Sequence, residues 1–180
     1  THRSVSGHTV LRKEETMKNS IVLTGMPGSG KSTVGVILAK VLCKPFFDTD
    51  LLIQEKEGRS LQAILDQDGP DYFRRCEERH ILQHTFPPSV IATGGSVVYS
   101  QAAMEHLKQD ATVVFLNVSY ENLCQRIRNF STRGILTHGS SLLDLYHERL
   151  PLYERYADII LDCLDQTIVE TVEAVVGALK

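Results

Sequence analysis

A glycine-rich segment at residues 25–32, with the sequence GMPGSGKS, limits how this chain can fold more than any other feature. It matches the pattern G-x-x-x-x-G-K-[ST]. The apolar run before it, at 21–24, is typical of a buried strand, and residues 34–42 after it carry apolar side chains at helical spacing. Glycines between a strand and a helix let backbone N–H groups turn towards phosphate oxygens, and the helix dipole adds positive charge there. The segment therefore predicts an α/β fold with a phosphate-binding loop.

The side chains of this glycine-rich loop suit a bound nucleotide. Lys31 is placed to reach the β- and γ-phosphates, and the Ser32 hydroxyl is placed to ligate Mg²⁺. The backbone and the helix N-terminus supply further contacts to an anion. The residues that we expect to bind the nucleotide here are Gly25, Pro27, Gly28, Ser29, Gly30, Lys31, Ser32 and Thr33.

Four more apolar runs alternate with helical stretches along the chain. They lie at 45–47, 90–93, 112–118 and 159–161. Strands separated by helices predict a parallel sheet with helices on both faces. We therefore expect residues 17–180 to form one α/β domain, a three-layer sandwich with five parallel strands in the middle layer.

The longer helical stretches are expected above the sheet, near the ligand. One covers 51–79, and another covers 142–156, where Pro151 should kink or restart the helix. The polar, glycine-containing segment 130–141 between them predicts a mobile lid loop. These stretches are the expected substrate-binding part of the domain.

Composition and charge exclude several classes of protein. The net charge of −3 argues against a nucleic-acid partner, and the sequence has no apolar run of about 18 residues that would cross a membrane. Residues 1–16 lack an apolar core, and we interpret them as a disordered or cloning-derived extension. The four cysteines are far apart, which predicts buried, reduced thiols. We therefore expect a cytoplasmic monomer that acts on a small molecule.

Two carboxylates, Asp48 and Asp50, follow the second apolar run at 45–47. Ligands of parallel sheets bind beyond the carboxyl ends of the strands, so these residues should lie beside the glycine-rich loop. Alternation along an extended strand would point both carboxylates to one side, where one can hold a water bound to Mg²⁺ and the other can accept a hydrogen bond from an attacking hydroxyl. The alternative is a helix N-cap, and Asp50 could serve both purposes.

The third apolar run ends in Thr93, Gly94 and Gly95, at the same edge of the expected sheet. Backbone without side chains allows a small ligand to approach closely. The alternative is a tight turn with no ligand. The residues alone leave both interpretations open.

Taken together, six segments resemble the shikimate kinase family, and they occur in the family's order from residue 21 to about 179. They are GMPGSGKST, FFDTD, YFRR at 72–75, IATGG at 91–95, STRGIL at 131–136 and ERLPLYERYAD at 148–158. The resemblance implies a P-loop fold of the nucleoside-monophosphate-kinase type. It also implies Mg²⁺- and ATP-dependent phosphorylation of shikimate to shikimate 3-phosphate, a step of aromatic amino-acid biosynthesis.

The resemblance implies roles for residues that would bind the acceptor. Asp50 matches a carboxylate that binds the substrate hydroxyls and orients the attacking oxygen. Arg74 and Arg149 match two arginines that bind the substrate carboxylate, which suits the paired hydrogen bonds of a guanidinium. Gly94 and Gly95 match backbone contacts to the substrate.

The resemblance also implies roles on the nucleotide side. Lys31 and Ser32 match the nucleotide and Mg²⁺ positions, and Asp48 matches the carboxylate associated with Mg²⁺. Arg133 matches an arginine of the lid that closes over the phosphates. Arg126 matches another arginine near the active site. The resemblance thus assigns catalysis to Lys31, Asp50 and Arg133.

Two positions depart from the family pattern. Ser96 stands where the family usually has a third glycine, and the lid sequence at 133–136 is RGIL where the family usually has RPLL. Both lie near the acceptor or its cover. Two alternatives therefore stay open, namely a kinase for another hydroxy acid, such as homoserine or gluconate, and a non-catalytic nucleotide-binding module.

Overall fold

The computed structural model describes residues 18–128 and 141–180. Within these ranges five strands form one parallel sheet, which confirms the predicted fold class. The strands are β1 (Ser20–Thr24), β2 (Phe46–Asp48), β3 (Val90–Ala92), β4 (Ala111–Val118) and β5 (Ile159–Cys163), and their order across the sheet is β2-β3-β1-β4-β5. The described helices are α1 (Lys31–Val41), α2 (Thr49–Glu57), α3 (Leu61–Gln83), α4 (Gln101–Lys108), α5 (Tyr120–Arg128), α6 (Leu142–Tyr156) and α7 (Ile168–Leu179), with a 3₁₀ helix at Val97–Tyr99.

The parallel register brings the carboxyl ends of the strands to one edge of the sheet. In the central strand β1, Leu23 lies opposite Ala92 of β3 and Val114 of β4. Every residue of β1 is buried, as expected for a strand covered on both faces. The glycine-rich loop follows β1, α2 follows β2, and the turn at 93–95 follows β3. The topology therefore brings these three segments together.

Helices pack on the sheet in two groups. The first group is α1, which contacts β3, and α7, which packs against α1. In the second group, α4 and α6 contact β4, and α3 contacts α4. The main hydrophobic core lies between these helices and the sheet, and its fully buried members include Val22, Leu38, Met104, Val113 and Val175.

Helices α2 and α3 share a second, smaller core. Ile53 of α2 packs there with Phe73 and Cys76 of α3. Gly69, with φ 81° and ψ 173°, interrupts the helical backbone of α3 immediately before Pro70. A Gly-Pro pair favours such an interruption, because glycine adopts positive φ readily and proline lacks the backbone N–H that would continue the helix.

A kink or a restart of the helix was predicted at Pro151, and the restart was wrong. Helix α6 runs from Leu142 to Tyr156 as one element and does not restart at Pro151. Proline removes one backbone donor from a helix, which leaves the carbonyl four residues earlier without its usual partner. Because Pro151 lies on the exposed side of α6, water can bind that carbonyl.

Two further differences concern residues 97–108 and the cysteines. The sequence pattern predicted no element at 97–108, where the structure has the 3₁₀ helix and α4, with Ser100 as the N-cap of α4. All four cysteines are free, but only Cys76 and Cys163 are buried, whereas Cys124 is half-buried and Cys43 is exposed. The extension at 1–16 and the lid loop up to residue 140 lie outside the described residues. In the part of the chain that is described, no helix is both long and apolar enough to span a membrane.

Candidate active site

A cavity of about 430 Å³ opens at the carboxyl edge of the sheet. Its walls come from the glycine-rich loop, α2, the start of α3, the turn after β3, and α6. This volume suits a small-molecule site. The predicted site residues that line it are Pro27, Gly28, Gly30, Lys31, Ser32, Thr33, Asp48, Asp50, Gly95 and Arg149. The other predicted residues within the described ranges, Gly25, Ser29, Arg74, Gly94 and Arg126, are not among its lining residues.

The backbone of the glycine-rich loop has the shape that the motif predicts. Gly25, Gly28 and Gly30 have φ of 150°, 82° and 92°, values that glycine adopts far more readily than other residues. At Gly25 a Cβ would also lie only 2.8 Å from the carbonyl oxygen of Leu116. Gly30 is the N-cap of α1 and offers no side chain to the first backbone N–H groups of the helix. Those N–H groups can therefore bind an anion.

Lys31 lies against the same loop. Its buried Nζ donates hydrogen bonds to the carbonyl oxygens of Gly25, at 2.7 Å, and Met26, at 2.9 Å. The Oγ of Ser29 is 3.5 Å away. A phosphate held by the loop would compete with these carbonyl oxygens for the ammonium group.

Arg126, on α5, contacts the glycine-rich loop although it lies far from the loop in the sequence. Its Nη1 donates to the carbonyl oxygens of Gly28, at 3.3 Å, and Ser29, at 3.1 Å. A guanidinium therefore lies beside the loop without lining the cavity itself. Arg133, the other arginine predicted on the nucleotide side, lies outside the described residues.

Asp48 and Asp50 both line the cavity, but strand alternation does not place them there. Asp48 ends β2 and caps α2, because its Oδ1 accepts from the backbone N–H of Asp50, at 2.9 Å, and Leu51, at 3.3 Å. Its Oδ2 accepts from the Ser32 hydroxyl at 2.7 Å. The chain turns into a helix at Thr49, so Asp50 lies in the first turn of α2. The N-cap role therefore belongs to Asp48, as suits an aspartate directly before a helix.

The turn after β3 is held by side chains from two helices. The N–H of Gly94 donates to Oγ1 of the buried Thr49, on α2, at 3.0 Å. The hydroxyl of Tyr153, on α6, donates to the carbonyl oxygen of Gly95 at 2.7 Å. These bonds fix the turn relative to both walls of the cavity.

Close packing explains the two glycines of this turn. Neither Gly94 nor Gly95 has positive φ, so a tight turn does not require them. A Cβ at Gly94 would collide with Oδ1 of Asp50 and lie 3.1 Å from Oε2 of Glu77. A Cβ at Gly95 would lie 2.9 Å from Nη1 of Arg149. The glycines therefore let two carboxyl groups and a guanidinium approach one backbone segment.

The two predicted acceptor arginines lie together, although 75 residues separate them in the sequence. Arg149 is only 1% exposed and is among the largest fully buried side chains described. Its Cζ lies 5.3 Å from the centroid of the Tyr99 ring, and the Cζ of Arg74 lies 4.3 Å from the same centroid. Arg149 Nε also donates to the Tyr99 hydroxyl at 3.3 Å. One aromatic ring therefore contacts both guanidinium groups.

A third carboxyl group, that of Glu77, lies near the cavity and was not predicted from the sequence. It is 3% exposed, and its Oε1 accepts from the hydroxyl of Ser96 at 2.8 Å. Its Oε2 is buried and has no hydrogen-bond partner among the described residues. Burial raises the pKa of Glu77 to about 8, and the nearby negative charge of Asp50 adds to this. The shift favours the protonated form of Glu77 at neutral pH.

A separate polar cluster links α2 to α3 away from the cavity. Oε1 of Glu57 accepts from the Cys76 thiol at 2.8 Å and from Nη2 of Arg79 at 2.9 Å, and Nε2 of His80 lies 2.8 Å away. Hydrogen bonds, chiefly from Cys76 and then His80, lower the pKa of Glu57 to about 2. Glu57, Cys76 and His80 are potential metal ligands by type. We interpret the cluster as structural, because protein donors already occupy the carboxylate.

Helical spacing could have revealed two of the residues that sequence analysis missed. Glu77 lies three positions after Arg74 on α3, and Tyr153 lies four positions after Arg149 on α6, so each shares a helix face with a predicted arginine. Tyr99 offered no such signal, because it ends a 3₁₀ helix that the sequence pattern did not predict.

The family model and the relatives found by sequence comparison carry the same family name. A family model described as shikimate kinase matches residues 27–180. The shikimate kinase of Paracidovorax citrulli is 43% identical over 148 residues, covering 79% of this chain and 81% of that protein. The shikimate kinase of Thiobacillus denitrificans is 36% identical over 166 residues, covering 90% of this chain and 91% of that protein.

Solved structures agree with the sequence comparisons. Shikimate kinase from Acinetobacter baumannii, in complex with shikimate, matches with a TM-score of 0.78 at 30% identity, covering 90% of this chain and 92% of that one. A gluconokinase from Sinorhizobium meliloti has a TM-score of 0.55 at 21% identity, covering 92% of this chain and 93% of that one, and this likeness extends to the fold alone. Since the family model and both relatives span most of the chain, this protein belongs to the shikimate kinase family.

Proposed function

We propose that this protein transfers the γ-phosphoryl group of ATP to a hydroxyl of shikimate and forms shikimate 3-phosphate. The convergence of a phosphate-binding loop, two carboxylates and Arg149 around one cavity, with Arg74 against the same tyrosine ring as Arg149, carries this proposal. The loop suits ATP, and the arginines suit an acceptor with a carboxylate. The named activity of the family and the shikimate bound by the relative from Acinetobacter baumannii support shikimate as that acceptor.

The acceptor carboxylate would bind to Arg74 and Arg149, which we call the carboxylate clamp. A guanidinium can donate two parallel hydrogen bonds to a carboxylate, and these are stronger than bonds between neutral groups. Arg149 is almost fully buried beside the cavity, where water screens its charge poorly. Gly95, next to Nη1 of Arg149, and Gly94 would offer backbone atoms to the acceptor at short range.

Asp50 would orient the attacking hydroxyl and accept its proton. Its carboxylate lies beside Gly94, in the wall between the loop and the carboxylate clamp. The acceptor oxygen forms a bond to the γ-phosphorus while the bond between that phosphorus and the β,γ-bridging oxygen breaks, and ADP leaves. The hydroxyl proton passes to Asp50 and then to solvent. Phosphoryl transfer depends mainly on such positioning and on charge neutralisation.

Basic groups around the glycine-rich loop would neutralise the phosphates. Lys31 and the N-terminal N–H groups of α1 lie at the loop itself. Arg126 contacts the loop from α5, and its positive charge would act on the same phosphates at slightly longer range. We also propose that Arg133 closes over them from the lid, which rests on the family resemblance.

Ser32 and Asp48 fit a magnesium ion. Their oxygens are 2.7 Å apart at the end of the glycine-rich loop, and both line the cavity. Mg²⁺ prefers oxygen ligands and often binds through one or two protein groups together with substrate phosphates. When bound, it would withdraw negative charge from the transferred phosphoryl group. Ser32 would contribute its hydroxyl, and Asp48 would orient ligand waters.

We further infer that residues 17–180 act as one kinase domain and as a monomer. The described walls of the cavity come from one chain, as a site within a monomer requires. The four free cysteines suit a reducing cytoplasm, and the net charge of −3 suits a small-molecule enzyme without a nucleic-acid partner. Sedimentation of the active enzyme as a single 20.1 kDa species would test the monomer.

Initial-rate kinetics with ATP and a panel of shikimate, homoserine and gluconate tests the proposed function. We expect turnover of shikimate, and an increase of about tenfold to hundredfold in the KM for shikimate when either Arg74 or Arg149 becomes alanine, because a charge-assisted hydrogen bond is worth about 1.5–3 kcal/mol. Asp50→Asn should lower kcat and leave the KM for ATP unchanged. Arg155→Ala, an exposed arginine on the same helix α6, is the matched control and should change nothing.

The alternatives make different predictions in the same assay. Faster turnover of homoserine or gluconate than of shikimate would show another hydroxy-acid kinase. ATP binding without turnover of any panel member would show a nucleotide-binding module. Clamp variants that lose only ATP affinity would refute the carboxylate clamp.

A further inference from the structure

Tyr99 contacts both arginines of the carboxylate clamp, and the inference drawn from it rests on the proposed function. The Cζ atoms of Arg74 and Arg149 lie 4.3 Å and 5.3 Å from the centroid of its ring. These arginines come from α3 and α6, and both helices contact the 3₁₀ helix that ends at Tyr99. The separation of their Cζ atoms therefore cannot exceed the sum of the two distances to the ring.

The Tyr99 hydroxyl has its own partners. It donates to Oε1 of Glu148 at 2.6 Å and accepts from Nε of Arg149 at 3.3 Å. Burial, and then the bond to Glu148, raises the pKa of Tyr99, so the hydroxyl keeps its proton and can donate. Because the proton points to Glu148, the oxygen lone pairs are left for Arg149. The side chain thus holds Arg149 through both its ring and its oxygen.

Two guanidinium groups that contact one ring repel each other, most strongly where water is excluded. The negative face of an aromatic ring attracts a cation within about 6 Å of its centroid, and both Cζ atoms are inside that distance. The ring therefore offsets part of the repulsion. It also limits the rotamers of two long side chains that would otherwise lose much entropy when they bind a ligand.

We propose that Tyr99 is a positioning residue of the carboxylate clamp, and that its ring and hydroxyl hold Arg74 and Arg149 at the spacing that selects an acceptor with a carboxylate. Tyr99 itself is not among the residues that line the cavity. Its effect reaches the acceptor through the two arginines. It is therefore a determinant of acceptor specificity and has no part in phosphoryl transfer.

A purely structural role for Tyr99 makes different predictions. Loss of the ring would then loosen the turn after β3 as a whole and affect the acceptor, ATP and the rate together. Positioning of the clamp affects only the recognition of the negative charge on the acceptor. A neutral acceptor of the same shape, shikimate amide, separates the two cases.

The experiment compares wild type, Tyr99→Leu and Tyr99→Phe with shikimate and with shikimate amide. We expect Tyr99→Leu to raise the KM for shikimate about fivefold to thirtyfold, the equivalent of about 1–2 kcal/mol, while the KM for the amide, the KM for ATP and kcat stay within about twofold. Tyr99→Phe keeps the ring but loses the hydrogen bond from Arg149, so it should raise the KM for shikimate about twofold to fivefold. Tyr156→Leu, a half-buried tyrosine of α6 that does not line the cavity, is the control and should show no selective change.

Each outcome decides one question. Equal changes for the acid and the amide, or matching changes in kcat and in the KM for ATP, would overturn the positioning role. If Tyr99→Leu fails to fold, the Tyr99→Phe variant decides, and an unaltered preference of that variant for the acid over the amide overturns the positioning role. A wild type without turnover of shikimate refutes the proposed function instead. Calorimetric binding of shikimate and its amide then tests the inference, which fails if wild type does not prefer the acid.

Discussion

Replacing Glu77 by glutamine should change how the stability of the fold depends on pH. The Glu77 carboxyl is 3% exposed, accepts a hydrogen bond from Ser96 and lies near Asp50. Burial is the largest cause that raises its pKa from the ordinary value of 4.5 to about 8. The folded protein therefore keeps this proton up to about pH 8, whereas the unfolded chain releases it above about pH 4.5.

The magnitude follows from this difference in proton binding. Between pH 4.5 and about 8 the folded state binds one more proton here than the unfolded state, so the free energy of unfolding falls as the pH rises. Each pH unit of this interval is worth about 1.4 kcal/mol, which amounts to about 5 kcal/mol over the whole interval. Glutamine has nearly the same size, does not ionise and can still accept from Ser96. The variant therefore lacks this fall and gains stability relative to wild type as the pH rises.

Urea denaturation at pH 5, 6, 7 and 8 measures the effect. We expect the difference in the free energy of unfolding, Glu77→Gln minus wild type, to increase by about 3–5 kcal/mol from pH 5 to pH 8. The charged groups near Glu77, which are Asp50, Arg74 and Arg149, are present in both proteins, as is Tyr153. Their own titration cancels from the difference except for the part that is coupled to Glu77, as that of Asp50 is.

Glu55→Gln provides the matched control, because Glu55 is an exposed glutamate of α2. Its difference from wild type should stay nearly constant over the same pH range. The same constant difference for Glu77→Gln would refute the reasoning. It would mean that Glu77 is ionised in the folded protein near neutral pH, paired with an arginine of the carboxylate clamp rather than neutral beside Ser96.

Two further predictions concern the loop and the polar cluster between α2 and α3. Lys31→Ala should lower kcat by roughly a hundredfold or more, because the loop loses its ammonium group, while circular dichroism shows a folded protein; near-normal turnover in that variant would contradict the proposed phosphate site. Glu57→Gln should lower the free energy of unfolding at pH 7 by about 1–3 kcal/mol, because Cys76 and His80 then lose a charged acceptor. Since the pKa of Glu57 is lowered to about 2, this loss should shrink as the pH falls from about 4.5 towards 2, and a loss that does not depend on pH would exclude the charge as its cause.

Local patterns in the sequence predicted the phosphate side of the site well. The glycine-rich loop lies in consecutive residues, and its strand and helix neighbours are also local. The residue types therefore determine its backbone almost completely, as the positive φ values of Gly25, Gly28 and Gly30 show. The position of Asp50 was harder, because alternation assumes that the strand continues. Asp48 instead ends the strand and caps α2, so the helix begins at Thr49, one residue before Asp50.

The acceptor side could be predicted only through the family resemblance. No local pattern relates Arg74 to Arg149, and most single arginines on helices are exposed. Their proximity depends on how α3 and α6 pack beside the sheet, which involves contacts between residues far apart in sequence. The motifs therefore predicted the two arginines. Tyr99 and Glu77, which lie next to them in space, could be identified only from the structure.

The segment after Gly95 explains why these supporting residues escaped prediction. Ser96 and Tyr99 belong to a single 3₁₀ turn, which is too short to show a hydrophobic period. Yet Tyr99 of this turn contacts both arginines that we assign to the acceptor carboxylate, and Ser96 contacts the buried carboxyl of Glu77. Because Ser96 departs from the glycine that the family usually has, the hydrogen bond to Glu77 is a property of this chain that the shared motifs do not imply. Differences in acceptor affinity among relatives should therefore follow the residues of this turn more closely than the two arginines of the clamp.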